Sequence, residues 1–132
     1  VVIATNQAGI GRGLYEMDTL NAIHDKMLKA VAHLGARIDA VFFCPHTNED
    51  GCDCRKPKPG MLEEIAARYN TDLNGVPVIG DSLRDLQAAA AMGALPMLVM
   101  TGKGVKTIDD PELPPRTLVF PDLAAAVAHI TA

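Results

Sequence analysis

Apolar residues along the chain switch repeatedly between two periods. Val1 to Ala4 is a short β-branched run without alternation, the pattern of a strand buried on both faces. From Met17 onward, Leu20, Ile23, Met27, Leu28, Val31 and Leu34 recur three and four apart, which predicts one face of an amphipathic helix, with Gly35 placed to stop it. The switch then repeats. Ala40 to Phe43 predicts a second strand, and Met61 to Tyr69 a helix introduced by Pro59-Gly60. Val76 to Ile79 predicts a third strand, and Leu83 to Met92 an alanine-rich helix ended by Gly93. Leu95 to Met100 predicts a fourth strand, Leu118 to Phe120 a fifth, and about Asp122 to Ile130 a last helix. Asp109 to Pro115 is proline-rich and predicts a surface loop.

Short strands alternating with helices imply an α/β fold built from βαβ units around a mostly parallel sheet. In such sheets function gathers at the carboxyl ends of the strands. The residues there are Thr5-Asn6-Gln7, Cys44-Pro45-His46, Gly80-Asp81-Ser82 and Thr101-Gly102-Lys103, all polar or metal-competent. A glycine-rich turn, Gly9 to Gly13, follows the first of them. Its spacing fits neither the dinucleotide fingerprint nor the Walker loop.

Composition narrows the partners. A length of 132 residues suits one domain, residues 1–132. Sixteen acidic against twelve basic residues give a net charge of −4, and no basic block breaks that balance, so nucleic acid is not an expected partner. The apolar stretches are far shorter than the ~20 residues that span a bilayer, so no membrane is expected either. Three cysteines within eleven residues do not make the disulfide framework of a secreted protein. They suit a metal in a reducing compartment, with the cytoplasm the expected location.

The strongest local pattern is Cys44-x-His46-x5-Cys52-x-Cys54. Three thiolates and an imidazole close a tetrahedron around Zn²⁺ and leave no position open to a substrate, so this ion is expected to clamp the loop 44–54 and take no part in chemistry. Arg55, Lys56 and Lys58, spaced by Pro57 and Pro59, follow at once as a compact anion-binding surface. Asp81, at the end of an apolar strand, and Asp85, in the first turn of the next helix, are carboxylates able to serve Mg²⁺, with helix capping a competing role for Asp85. Thr5 offers a hydroxyl, among free amides, to a phosphate oxygen. His24, His33 and His129 fall in helical patterns and are expected to be surface or packing residues.

These motifs, in this order, resemble the haloacid dehalogenase superfamily and, within it, the heptose bisphosphate phosphatases. The resemblance is carried by Thr5 to Gly13, Cys44-Pro45-His46, Cys52 to Met61, Gly80-Asp81 and Thr101-Gly102-Lys103. It implies a Mg²⁺-dependent phosphomonoesterase with a Rossmann-like core and a zinc-stabilised loop as a small cap. A sugar bisphosphate on the route to the ADP-heptose of lipopolysaccharide, a heptose bisphosphate losing its 7-phosphate, would be its small-molecule substrate. Thr5 resembles the residue that binds the transferring phosphoryl group, with Asn6, Gln7 and Ala8 in the same substrate-contact turn. Lys56 resembles the lysine that neutralises nucleophile and phosphoryl charge, Arg55 the adjacent substrate contact, and Asp81 the Mg²⁺ ligand, with Asp85 a possible outer partner. Cys44, His46, Cys52 and Cys54 match the zinc set. The family often carries Lys where this chain has Ser82, so only a main-chain contact is carried over there. A monomer is expected.

One family motif is absent. The superfamily attacks phosphorus with the first of an Asp-x-Asp pair, the second acting as acid and then base. No two of the eleven aspartates here stand two apart. Val1 to Thr5 resembles the family's second strand and motif, and the chain opens on Val1 with no initiator Met. The resemblance therefore places the pair on a βα unit upstream, and the 132 residues alone are expected to show no turnover. Two alternatives stay open: a histidinol-phosphate phosphatase with a similar zinc loop, and a non-catalytic zinc-stabilised domain that binds sugar phosphates or a protein.

Overall fold

A computed structural model describes all residues from Val1 to Ala132. The chain divides into two compact units, Val1–Arg55 and Lys56–Ala132.

In the first unit, strand β1 (Val2–Asn6) pairs in parallel with β2 (Ala40–Cys44), in a register that sets Thr5 beside Phe43 and Asn6 beside Cys44. Between them run a one-turn helix α1 (Ala8–Gly11) and a long helix α2 (Met17–His33). Gly35 follows α2 with φ of 79°, a left-handed conformation that closes the helix end without a Cβ penalty. Beyond β2, a 3₁₀ turn (Asn48–Asp50) lies inside the loop that carries the cysteines.

The expectations for this half are corrected in three places, two of burial and one of local structure. Within these 132 residues β1 is half-exposed along its whole length, in a sheet of two strands. Of the apolar face of α2 only Leu20 is buried within these 132 residues, while Ile23 is 54% and Leu34 84% exposed. The stretch expected as a glycine turn begins as α1, whose amides Arg12 N–H and Gly13 N–H close back onto Ala8 and Ile10.

The second unit is a three-stranded parallel sheet in the order β3 (Pro77–Gly80), β4 (Leu95–Val99), β5 (Leu118–Phe120). Around it stand α3 (Gly60–Arg68), α4 (Leu83–Ala91), a single turn α5 (Gly104–Thr107) and α6 (Leu123–Ile130). β4 is the central strand and is buried from Pro96 to Val99, as its unbroken apolar run implies. Pro96 is tolerated there for a local reason. Leu95 N–H bonds to Val76 on the β3 side, so the missing proline N–H faces the other side, where β5 pairs only from Met97 onward. Met61, Leu62 and Ile65 of α3, Leu86, Ala88 and Ala89 of α4, and Ala126 of α6 complete the core. Phe120 packs against His129, and in the first unit Phe43 against His24, so these histidines are packing residues as expected. No helix is long and apolar enough to cross a membrane.

Candidate functional site

In the first unit the structure brings together all four ligands expected of the metal motif. Cys44, at the end of β2, is fully buried, and its Sγ lies 3.5 Å from His46 Nδ1 and 3.5 Å from Cys52 Sγ. His46 Nδ1 lies 3.3 Å from Cys54 Sγ, and all four donor atoms fall within 4.8 Å of one another. The fit to a metal follows from donor chemistry and spacing. A divalent ion bonded to thiolates at about 2.3 Å sets tetrahedral ligands about 3.8 Å apart. The closest pair, Cys44 and Cys54 at 2.6 Å, would separate by about 1 Å around such an ion.

The loop between the ligands is built to close. Thr47 and Asp50 form a reciprocal capping box, with Thr47 N–H donating to Asp50 Oδ2 at 2.8 Å, and this bond holds the Asp50 carboxyl below the usual range. Gly51 then turns the chain at φ of 68° so that Cys52 comes back onto Cys44. Burial opposes the Cys52 thiolate, but the Arg55 amide and the Cys44 and Cys54 thiols hydrogen-bond to it and bring its pKa down to about 7. Burial is the main reason the Cys54 thiol is pushed up to about 12, with its bonds to Cys44 and Cys52 and their charges adding to it. One acidic and one reluctant thiol in contact is the state expected of a cluster whose full deprotonation requires a cation.

Arg55 sits against this cluster, only 8% exposed. Its Nε donates to Asn48 Oδ1 at 2.7 Å and its guanidinium reaches the His46 carbonyl at 3.5 Å. Three thiolates around a divalent ion would leave one net negative charge, which a buried guanidinium beside them is suited to balance. The part of Arg55 in these bonds serves the loop.

The Thr5 turn is hydrogen-bonded to the base of the same loop: Gln7 N–H donates to Cys44 O at 2.7 Å and Gly11 N–H to Pro45 O at 2.9 Å. A Cβ on Gly11 would stand 2.7 Å from that Pro45 oxygen, so the approach requires glycine. Gln7 Nε2 donates to Thr5 Oγ1 at 3.1 Å, and the Tyr15 hydroxyl donates to Gln7 Oε1. The Gln7 side chain thus orients the Thr5 hydroxyl and is itself held by Tyr15, a residue the sequence pattern does not single out. Asn6 and Ala8 stand on either side of Gln7 in the same turn.

In the second unit, Asp81 follows β3. Its Oδ2 accepts Lys103 N–H at 2.8 Å, and its carbonyl accepts the Thr107 hydroxyl, also at 2.8 Å. Oδ1 carries no hydrogen bond and is the oxygen available to a cation. Gly102 is needed here twice over: its φ is 57°, and a Cβ would overlap Asp81 Oδ2. Asp85 does two jobs. Its Oδ2 accepts Ser82 N–H at 3.2 Å and Ser82 Oγ at 3.1 Å in a capping box, while its Oδ1 pairs with Lys56 Nζ at 2.5 Å, both side chains being 15% exposed. Capping, the competing expectation for Asp85, is therefore what the structure shows, together with a grip on Lys56.

Thr107 and Tyr15 are site residues that sequence reasoning misses, and neither has a local motif. The two capping boxes do have one, Thr47-x-x-Asp50 and Ser82-x-x-Asp85.

Comparison with known proteins places this geometry. Residues 53–126 match the family described as "HAD-hyrolase-like", and residues 1–83 match "Polynucleotide kinase 3 phosphatase". A D-glycero-beta-D-manno-heptose-1,7-bisphosphate 7-phosphatase from Bordetella bronchiseptica is 58% identical over 130 residues, covering 98% of this chain and 73% of the relative. The crystal structure of D,D-heptose 1,7-bisphosphate phosphatase from B. bronchiseptica, complexed with magnesium and phosphate, superposes with a TM-score of 0.97 at 57% identity, over 99% of this chain and 73% of that one. The corresponding phosphatase from Burkholderia thailandensis superposes with a TM-score of 0.79 at 50% identity, over 100% and 75% of the two chains.

Proposed function

Because the chain belongs to the heptose-1,7-bisphosphate 7-phosphatases of the haloacid dehalogenase superfamily, we propose that it carries the phosphoryl- and metal-binding part of an enzyme that removes the 7-phosphate of a heptose bisphosphate. The observation that carries the reading is the pinned Asp81 carboxylate, with one oxygen left for a cation, in a chain that also holds a four-ligand cluster and the Thr5 turn.

Each role is assigned from the residue's own surroundings and its match to the family motif. Asp81 Oδ1 holds Mg²⁺, which when bound offsets negative charge on the phosphoryl oxygens. Lys56, oriented by Asp85, supplies a positive charge to the same group. The Thr5 hydroxyl, oriented by Gln7, donates to a phosphoryl oxygen, with the Asn6 and Ala8 main chain beside it and Arg55 bordering the substrate. Cys44, His46, Cys52 and Cys54 hold Zn²⁺, which fixes the loop. The nucleophile is the first Asp of an Asp-x-Asp pair, which these 132 residues do not contain. Its carboxylate oxygen bonds to phosphorus as the bond to the C7 oxygen breaks, the second Asp protonates the departing oxygen, and water then releases phosphate from the aspartyl-phosphate. Without that pair the 132 residues bind but do not turn over.

In this reading the enzyme acts as a cytoplasmic monomer, on the route to ADP-heptose and lipopolysaccharide. Neither the histidinol-phosphate reading nor a non-catalytic binding domain is favoured, since the curated relatives at 50–58% identity are named as heptose bisphosphate phosphatases. The test compares kcat/KM for heptose 1,7-bisphosphate and histidinol phosphate, using the chain joined to an upstream segment that bears the Asp-x-Asp pair. A heptose preference of a hundredfold or more is expected, and equal rates or a histidinol preference would refute the assignment.

A further inference from the structure

Beside Asp81, the second unit holds an open cavity of about 440 Å³ whose walls include Ser82, Leu83, Arg84, Gln87, Lys103 and Lys106. We infer that this cavity binds the phosphate that is not transferred, the second dianion of a bisphosphorylated sugar; the inference rests on the heptose bisphosphate reading and extends it to recognition.

Three cations converge on this wall and no acidic residue lines it. The chain as a whole is acidic, at −4, so such a concentration runs against its composition. None of the three side chains enters an ion pair of the fold. The ion pairs of the chain engage Val1, Lys29, Arg37 and Lys56, and leave Arg84, Lys103 and Lys106 without a carboxylate partner. Three carboxylates bond to wall residues, none of them to these three cationic side chains: Glu112 meets Gln87 Nε2 at 3.5 Å, Asp81 Oδ2 accepts the Lys103 amide at 2.8 Å, and Asp85 Oδ2 accepts Ser82 N–H and Oγ. Lys103 and Lys106 stand three apart on one turn, where like charges repel, and Arg84 joins them from the start of α4. A bound dianion turns that repulsion into attraction, with Arg84 able to make two parallel bonds to phosphate oxygens and the lysines acting as point charges.

The three cationic side chains are exposed, but the backbone that carries the two lysines is held in place. Lys103 N–H is bonded to Asp81, and the Thr107 hydroxyl bonds to both Asp81 O and Lys103 O, the latter at 3.1 Å. Gly104 lies so close to the Val99 carbonyl that a Cβ there would overlap it. The backbone carrying Lys103 and Lys106 is therefore set before a ligand arrives, which lowers the ordering cost of binding. The same Lys103 amide holds the carboxylate assigned to Mg²⁺, so the cavity adjoins the reacting group. Its volume lies at the small end of ligand pockets and suits one phosphate with part of a sugar.

The test is calorimetric titration of the 132-residue chain in Mg²⁺ with heptose 1,7-bisphosphate, fructose 1,6-bisphosphate, fructose 6-phosphate and inorganic phosphate, alongside the variants Arg84→Ala and Lys103→Ala/Lys106→Ala. The expected result is that the bisphosphate binds about tenfold tighter than the monophosphate, which is one decade in Kd. Each variant should erase most of that gain and leave monophosphate binding within twofold. Inorganic phosphate should shift the amide resonances of Arg84, Lys103 and Lys106, since it satisfies the same chemistry. Equal affinity for the two esters, or a bisphosphate preference that survives the double lysine variant, would overturn the inference. Failure of the heptose reading gives a different pattern: the preference and its loss in the variants persist, but heptose 1,7-bisphosphate binds no better than the fructose compound.

Discussion

The two units of the chain hold their functional groups by different physics. Between Val1 and Arg55 only Leu20, Cys44 and Arg55 are buried, and the Thr5 turn and the metal loop are fixed by hydrogen bonds, a capping box and four converging ligands. Between Lys56 and Ala132 a continuous apolar core underlies the sheet, and Asp81, Lys56 and Lys103 are placed on top of it by short polar contacts. Where hydrophobic burial is scarce, a metal ligand set can supply the order; where it is ample, a few hydrogen bonds are enough to aim a carboxylate.

The sharpest way to break that comparison is to damage burial in each unit. Leu98, 0% exposed in the central strand, should cost about 2–5 kcal/mol on Leu98→Ala by urea unfolding. Ile23→Ala, at a position 54% exposed, should cost less than about 0.5 kcal/mol. Similar losses at both positions would mean that the first unit relies on packing after all.

Metal removal should have the opposite distribution. With free metal at a hundred times its Kd, binding stabilises by about 2.7 kcal/mol, so chelation should lower stability by about that amount. It should speed amide exchange in residues 44–55 while leaving β3 and β4 protected. In the stripped protein the pKa of Cys52 is lowered to about 7, so its thiolate fraction, and with it alkylation by iodoacetamide, should rise through half-maximum near that pH. Cys54, pushed up to about 12, should stay unreactive until far more alkaline conditions. Reloading the metal should protect both. Equal alkylation profiles for the two thiols would contradict the hydrogen-bond pattern at the cluster.

Smaller effects sharpen the picture at single contacts. Gly102→Ala forces a Cβ onto Asp81 at a left-handed φ and should cost about 1–2 kcal/mol. Mg²⁺ affinity should drop with it, as measured by calorimetry, since the displaced carboxylate is the one assigned to the ion. Smallest is Tyr15→Phe, which removes the hydroxyl that holds Gln7 and should cost about 0.5–1.5 kcal/mol. It should also broaden the side-chain amide resonance of Gln7, and an unchanged resonance would show that Tyr15 does not orient the Thr5 relay.

Much of this is legible in the sequence because it is written in local spacing. The Cys44-x-His46-x5-Cys52-x-Cys54 pattern needs only its own loop to close, and the run from Leu95 onward is apolar enough to mark the central strand. Periodicity misleads on α2, whose apolar face matches a helix but whose burial depends on what the sheet can cover. It also misses α1 and α5, each a single turn of four residues, too short to show a period. Tyr15 and Thr107 are invisible for another reason: each acts through a contact outside helical or strand spacing, Tyr15 on Gln7 eight residues away and Thr107 on Asp81 twenty-six away, and no local pattern encodes such a meeting.

The most direct test of the central claim follows heptose 1,7-bisphosphate by phosphorus NMR, with the 132-residue chain alone and with the chain joined to a segment bearing the Asp-x-Asp pair. The chain alone should leave both resonances intact. The extended chain should convert the 7-phosphate to inorganic phosphate while the 1-phosphate signal remains. Turnover by the short chain, or release of the 1-phosphate by the extended one, would contradict the account.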